Sequence, residues 1–304
     1  MSNPAPASVR LRLRIVVAAA AAALLGGACS AGGSPAPESP SVVVTTAVLG
    51  SVVEELVGDA AAVTVLMANG VDPHEWSPSA KEIERVMKAD LVVANGLGLE
   101  EGLEKALVEA EKAGVAVFRA TDHIQVREVA GEGDDHGAGD PHFWVDPISM
   151  QDVVRALAKE LAPAGVDVAD RGADLEKRLA DLDAETRETL AVVPEAARKL
   201  VTGHESMGYF ADRYGFELIG TVIPGLSSQG EVSAGELAAL KAQIEAEDVT
   251  VLFTEIGTPA AVVAAIAKET GAEVVELPSH TLPDDGSYFT FIREIASAVA
   301  DALR

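Results

Sequence analysis

Apolar and polar positions fall in blocks along this chain, and the blocks alternate between two periods. Val42-Val-Val-Thr-Thr-Ala-Val-Leu49 is a β-branched apolar run, the pattern of a strand covered on both faces. An amphipathic segment follows to Val57, and a second strand-like run covers residues 62–67. Ser77-Pro78-Ser79-Ala-Lys-Glu82 marks a helix start, with Ser79 as N-cap and Glu82 as its capping-box partner, and this helix runs to Ala89. Residues 90–95 and 115–118 are the next strand-like runs, separated by a glycine-rich turn with Glu100 and a helix to Ala113. Strands and helices alternating through short turns predict a parallel sheet covered by helices.

Residues 120–140 break the pattern with the acidic stretch Gly131-Glu-Gly-Asp-Asp-His136-Gly-Ala-Gly-Asp140, a predicted loop. Residues 166–193 are charged and alanine-rich, place Leu175, Leu179, Leu182 and Leu190 at helical spacing, and contain no proline until Pro194. At ~1.5 Å per residue such a helix spans roughly 40 Å, enough to connect two lobes stiffly. The alternation then repeats, with strands at 199–202, 217–223, 249–253 and 272–277 and helices at 205–214, 233–247, 259–270 and 288–304. The expected fold is α/β: two similar lobes, each a parallel-rich sheet covered by helices, joined by one long helix. The expected boundaries are residues 42–165 for the first lobe, 166–194 for the linking helix and 195–304 for the second.

The first 28 residues change the cellular picture. Arg10, Arg12 and Arg14 precede the apolar run from Ile15 to Leu25, with no acid before Cys29. This is an export signal, its apolar stretch well short of the ~20 residues a spanning helix needs. Cys29 is the only cysteine of the chain and directly follows small residues, where a lipoprotein signal peptidase would cut. Lipid anchoring is expected; Gly26 departs from the branched residue usual there, and simple secretion is the alternative. Residues 29–41, rich in Gly, Ser, Pro and Ala, form a tether. With one cysteine there is no internal disulfide, so the core must carry stability.

The 304 residues hold 23 basic and 48 acidic side chains. Removing the three arginines of the leader leaves 20 against 48, a net charge near -28. That balance excludes nucleic acid and anionic lipid surfaces as natural partners.

Histidine is scarce, six residues in 304, and its placement is organised. The tripeptide Asp-Pro-His occurs twice, at Asp72-Pro73-His74 and Asp140-Pro141-His142. Proline fixes its own φ and keeps the preceding residue extended, so each histidine sits on a stiff loop. His204 and His280 also follow strand-like runs. The carboxyl ends of strands in open α/β sheets are where ligands bind, so these distant residues can meet there. Three or four imidazoles with at most one carboxylate favour tetrahedral zinc over magnesium or calcium, and nitrogen donors favour zinc over manganese.

Taken together, the motifs resemble the substrate-binding proteins of zinc and manganese ABC importers, the cluster A-I family of bacterial surface lipoproteins. The resemblance rests on Gly70-Val-Asp-Pro-His74 with the Pro78-Ser79 helix start, on Ala89-Asp-Leu-Val-Val-Ala-Asn-Gly96 with Leu99-Glu100, on Asp140-Pro-His-Phe-Trp-Val-Asp-Pro147, and on Gly203-His204 through Gly215. It implies two lobes joined by a long helix, one Zn2+ held between them as transported ligand, and delivery to a membrane permease. It also implies His74, His142 and His204 as the first three ligands. The family's fourth ligand is an Asp or Glu after the last strand. Here His280 matches by position and Asp284 by residue type; position carries more weight, and both stay open. A monomer is expected, and the reading leaves room for a metallochaperone as an upstream partner.

The other candidates have plainer readings. His123 is a surface or strand-edge residue, and His136 either a solvated loop residue or a metal collector. Trp76 and Trp144 wall the pocket or pack the core. Asp72 and Asp146 cap turns, with a hydrogen bond to a ligand imidazole as the sharper option. Glu205 and Glu255 default to local hydrogen bonding. The rival function is a secreted zinc-dependent hydrolase with a three-histidine site and an open fourth position. His204-Glu205-Ser-Met-Gly208 begins like His-Glu-x-x-His but lacks the second histidine, and no nucleophile elbow or phosphate loop appears. An adhesin has no direct support. Acid is expected to empty a histidine site, with affinity falling by orders of magnitude near pH ~5.

Overall fold

The computed structural model describes residues 39–129, 139–162 and 166–304. The expected export signal, Cys29, most of the tether and His136 lie outside these residues. β1 (Ser41–Val44), β2 (Ala62–Val65), β3 (Leu91–Ala94) and β4 (Ala116–Arg119) form one sheet in the order β2-β1-β3-β4, and every pairing is parallel. β3 is buried along its whole length, as its unbroken apolar run requires. α1 (Ala47–Val57), α2 (Ala80–Lys88) and α3 (Glu104–Ala113) make the crossovers. The Ser79–Glu82 capping box forms in both directions at the start of α2.

A further helix, α4 (Pro147–Leu161), was not anticipated from the sequence. Its start is nonetheless encoded: Asp146 accepts the Ile148 N–H as N-cap and Pro147 occupies the first turn, where a missing N–H costs nothing. α5 (Ala169–Leu190) is 22 residues long, about 33 Å, shorter than its apolar spacing predicted. It buries Leu175, Leu179, Leu182 and Leu190 and packs against α4, α1 and the last helix.

In the second lobe β5 (Lys199–Thr202) pairs with β6 (Glu217–Thr221), and β7 (Val251–Thr254) with β8 (Glu273–Glu276), again parallel. β5 and β7 contact each other, so the spatial order β6-β5-β7-β8 repeats that of the first lobe. α6 (Gly208–Tyr214), α7 (Ala234–Ala246), α8 (Ala260–Thr270) and α9 (Tyr288–Leu303) cover it. α6 begins three residues later than expected because Glu205 and Ser206 are folded into the loop: the Ser206 N–H and the Thr202 hydroxyl both donate to the His204 carbonyl. One apolar core runs through both lobes, joining Val44 and Leu49 to Phe210, Phe253 and Ile292. Among the described residues no helix is long and apolar enough to cross a membrane.

Candidate metal centre

Loops at the carboxyl ends of strands from both lobes come together at one place. His74 lies in the loop after β2, His142 in the segment after β4, His204 directly after β5 and His280 after β8. The structure brings one ligand atom from each of these four histidines within 4.8 Å of all the others. His142 Nε2 lies 3.2 Å from His74 Nε2 and 3.2 Å from His204 Nε2. An edge of a tetrahedron with zinc–nitrogen bonds of 2.0–2.1 Å is about 3.3–3.4 Å, so this spacing fits one small tetrahedral cation. Asp284 is exposed and stands outside the group. The reason is local. Asn69 exchanges two 2.8 Å hydrogen bonds with the backbone of Leu282, and Asp285 accepts from the Ser287 N–H and the Thr290 hydroxyl at the start of α9. The turn between these anchors faces solvent.

The two Asp-Pro-His tripeptides fold into the same turn. The Asp72 carboxylate accepts the His74 backbone N–H at 2.9 Å, and the Asp140 carboxylate accepts that of His142 at 2.9 Å; side chains of Asp commonly cap such turns. Beyond this their roles differ. Asp140 also lies 2.8 Å from His142 Nδ1, which fixes the Nδ1–H tautomer and leaves Nε2 bare toward the group. Asp72 instead accepts the Ser228 hydroxyl from the second lobe at 2.7 Å. Gly257 (φ +81) allows this approach, since a Cβ there would meet Asp72 Oδ2 at 2.4 Å. Asp146 touches no imidazole; besides capping α4 it receives both arms of Arg213 at 2.9 Å across the seam.

Trp144 walls the site, its ring 5.2 Å from that of His142 and 5.3 Å from that of His280, and its indole N–H donates to the Ser279 carbonyl. Trp76 packs in a separate apolar cluster of the first lobe. His123 is exposed and stacks on Phe118, away from the group. Glu205 is half-buried and not part of it. Glu255, read from sequence as a local hydrogen-bonding residue, sits beside two of the four imidazoles, with Oε1 3.0 Å from His204 Nδ1. Its only sequence signal was its place at the exit of a buried strand. Glu100, also buried, accepts from Thr45 and from the backbone of Asn95, and the Asn95 amide donates to the Pro141 carbonyl at 2.9 Å. That chain ties the β3 exit to the His142 loop.

Burial governs the protonation of the group. It pushes His74 down to about 3, helped by His142 and His204. It lowers His142 against the pull of Asp140, and lowers His280 against that of Glu255. His204 alone of the four is raised: burial pulls it down, but Glu255, Asp72 and Asp140 together outweigh that pull. Glu255 is in turn held well below the usual carboxylate range: its burial is overcome by His204 and His280 and by the Ser279 hydroxyl. Burial thus favours the neutral form of three of the four imidazoles, and the carboxylates around His204 favour its protonated form.

Two α/β lobes joined along a long helix, with a buried ligand cluster drawn from both at their seam, define a two-lobed binding protein. The chain belongs to the family described as zinc-uptake complex component A, periplasmic, which matches residues 42–302. It is 27% identical over 254 residues to the manganese-binding lipoprotein MntA of Halalkalibacterium halodurans, covering 82% of this chain and 81% of that one. It is 29% identical to the high-affinity zinc uptake system protein ZnuA of Bacillus subtilis, covering 82% and 83%. The solved structure of the periplasmic zinc-binding protein TroA of Treponema pallidum superposes with a TM-score of 0.77 at 27% identity, covering 87% of this chain and 99% of that one. A hydrolase finds no support: four imidazoles supply the whole group, and the Glu255 carboxylate is taken up by Ser206, Ser279 and the His204 backbone N–H.

Proposed function

We propose that this chain is the extracytoplasmic substrate-binding protein of an ABC importer, capturing Zn2+ between its lobes and delivering it to the membrane permease. The ligands are His74 and His142 from the first lobe and His204 and His280 from the second. The observation that carries this reading is the 3.2 Å spacing of imidazole Nε2 atoms drawn from both lobes. The relatives' names divide between manganese and zinc, and the donor set favours zinc, because manganese prefers oxygen ligands. The lobe boundaries at 42–165, 166–194 and 195–304, a lipid anchor on Cys29 and a monomeric state complete the proposal. The name lipoprotein in a relative supports the anchor, and a metallochaperone is an admissible upstream donor.

The test is a competition titration of purified protein with zinc and manganese against a chelator of known affinity. Zinc should be bound with one ion per chain and displace manganese. Manganese displacing zinc would overturn the choice of cargo, and no binding of either would overturn the function.

A further inference from the structure

We propose that Glu255 is the positioning residue of the centre, holding the His204 loop through its backbone N–H and setting the tautomer and direction of His280 through Ser279. The inference rests on the metal-binding reading above. Glu255 stands at the exit of β7, between the loops that carry His204 and His280, with its side chain 3% exposed. Oε1 accepts the His204 backbone N–H at 3.1 Å and lies 3.0 Å from His204 Nδ1. Oε2 accepts the Ser279 hydroxyl, and Ser279 Oγ lies 2.9 Å from His280 Nδ1. A serine hydroxyl has one proton. Given to Glu255, it leaves only a lone pair facing His280, so His280 Nδ1 must be the donor and its Nε2 must be bare. That Nε2 is buried without a hydrogen-bond partner, an arrangement that costs energy unless a ligand completes it.

The carboxylate's place is built into the backbone. Gly203 precedes the ligand His204, and a Cβ there would meet Glu255 Cγ at 2.9 Å. Glu255 thus holds one ligand loop through its backbone N–H and directs the other imidazole through Ser279. With Asp140 on His142 Nδ1, it places two carboxylates behind the imidazoles that would hold a cation.

Glu255→Gln keeps the shape but removes the charge and one accepting oxygen, and Ser279→Ala cuts the link to His280 alone. Both variants, His280→Ala and the Glu255→Gln/His280→Ala double variant are titrated with Zn2+, and their Co2+ complexes are read by visible absorption. Glu255→Gln should weaken Zn2+ binding about 10- to 100-fold, and Ser279→Ala should weaken it less. Both should change the intensity of the tetrahedral Co2+ bands, and the loss in the double variant should fall short of the product of the single losses. Multiplicative losses, or an unchanged Co2+ spectrum in Ser279→Ala, would overturn the inference while wild-type binding left the function intact. Failure of the wild type to bind either ion would sink the function itself.

Discussion

Acidification should release zinc with the slope of about one proton, not of four. The metal-free site holds His74 down at about 3, and His142 and His280 are also lowered, chiefly by burial. These three are already neutral at pH ~7 and yield no proton to an incoming cation. Only His204, raised by Glu255, Asp72 and Asp140 against its burial, is left as a group where a proton competes with the cation. Between pH ~7.5 and ~5.5 the competition of a single proton weakens binding at most about 100-fold. Four imidazoles with ordinary values near 6.5 would each cost about tenfold at pH ~5.5, or about 10,000-fold together. The assay is calorimetry near neutral pH in buffers of different ionisation enthalpy, which counts protons released, with chelator competition across the pH range. Release of three or more protons, or a 10,000-fold loss, would refute the protonation pattern. Acid therefore empties the site more gradually than four free histidines suggest.

Three further outcomes follow from the same geometry. His280→Ala should weaken zinc binding strongly while Asp284→Ala leaves it within about twofold, measured by chelator competition; the reverse ranking would move the fourth ligand. Asp140→Asn should cost about 10- to 100-fold in zinc affinity, because the His142 tautomer is no longer held; wild-type affinity would show that the hydrogen bond is idle. Without metal, the His74 shift alone should lower stability as pH falls from about 6.5 toward about 3, since only the unfolded chain takes up that proton in the window. His204 acts with the opposite sign, its contribution present below about 6.5 and lost as pH rises through its raised value. Denaturant melts of His74→Gln and wild type over this range separate the two; identical pH dependence would refute the His74 assignment.

Much of this was legible because the sequence marks it twice. Period and capping residues locate the strands and α2, and the repeated Asp-Pro-His turn points to two histidines of the buried group. α4 was missed because its signal, Asp146 before Pro147, belongs to a motif already read as part of the site. The partners across the seam were not legible at all. That Asp72 receives Ser228 and Asp146 receives Arg213 depends on how the lobes meet, which no local pattern encodes. The place of Asp284 is illegible for a similar reason: its residue type suits a metal, but the pinning of Leu282 by Asn69 leaves it exposed, outside the histidine group.

The apolar layer shared by the two halves limits how cargo can leave. α9 belongs to the second half by chain order yet packs on α1 and α5, with Ile292, Ile295 and Val299 fully covered. A wide jaw-like swing would wet that layer, and exposing even a few hundred Å2 costs on the order of 5–10 kcal/mol. Exchange of the ion is therefore cheapest at the rim, where half-buried His74 sits on a short flap clasped by Ser228. The molecule behaves less like a trap with a spring than like a box with one small door.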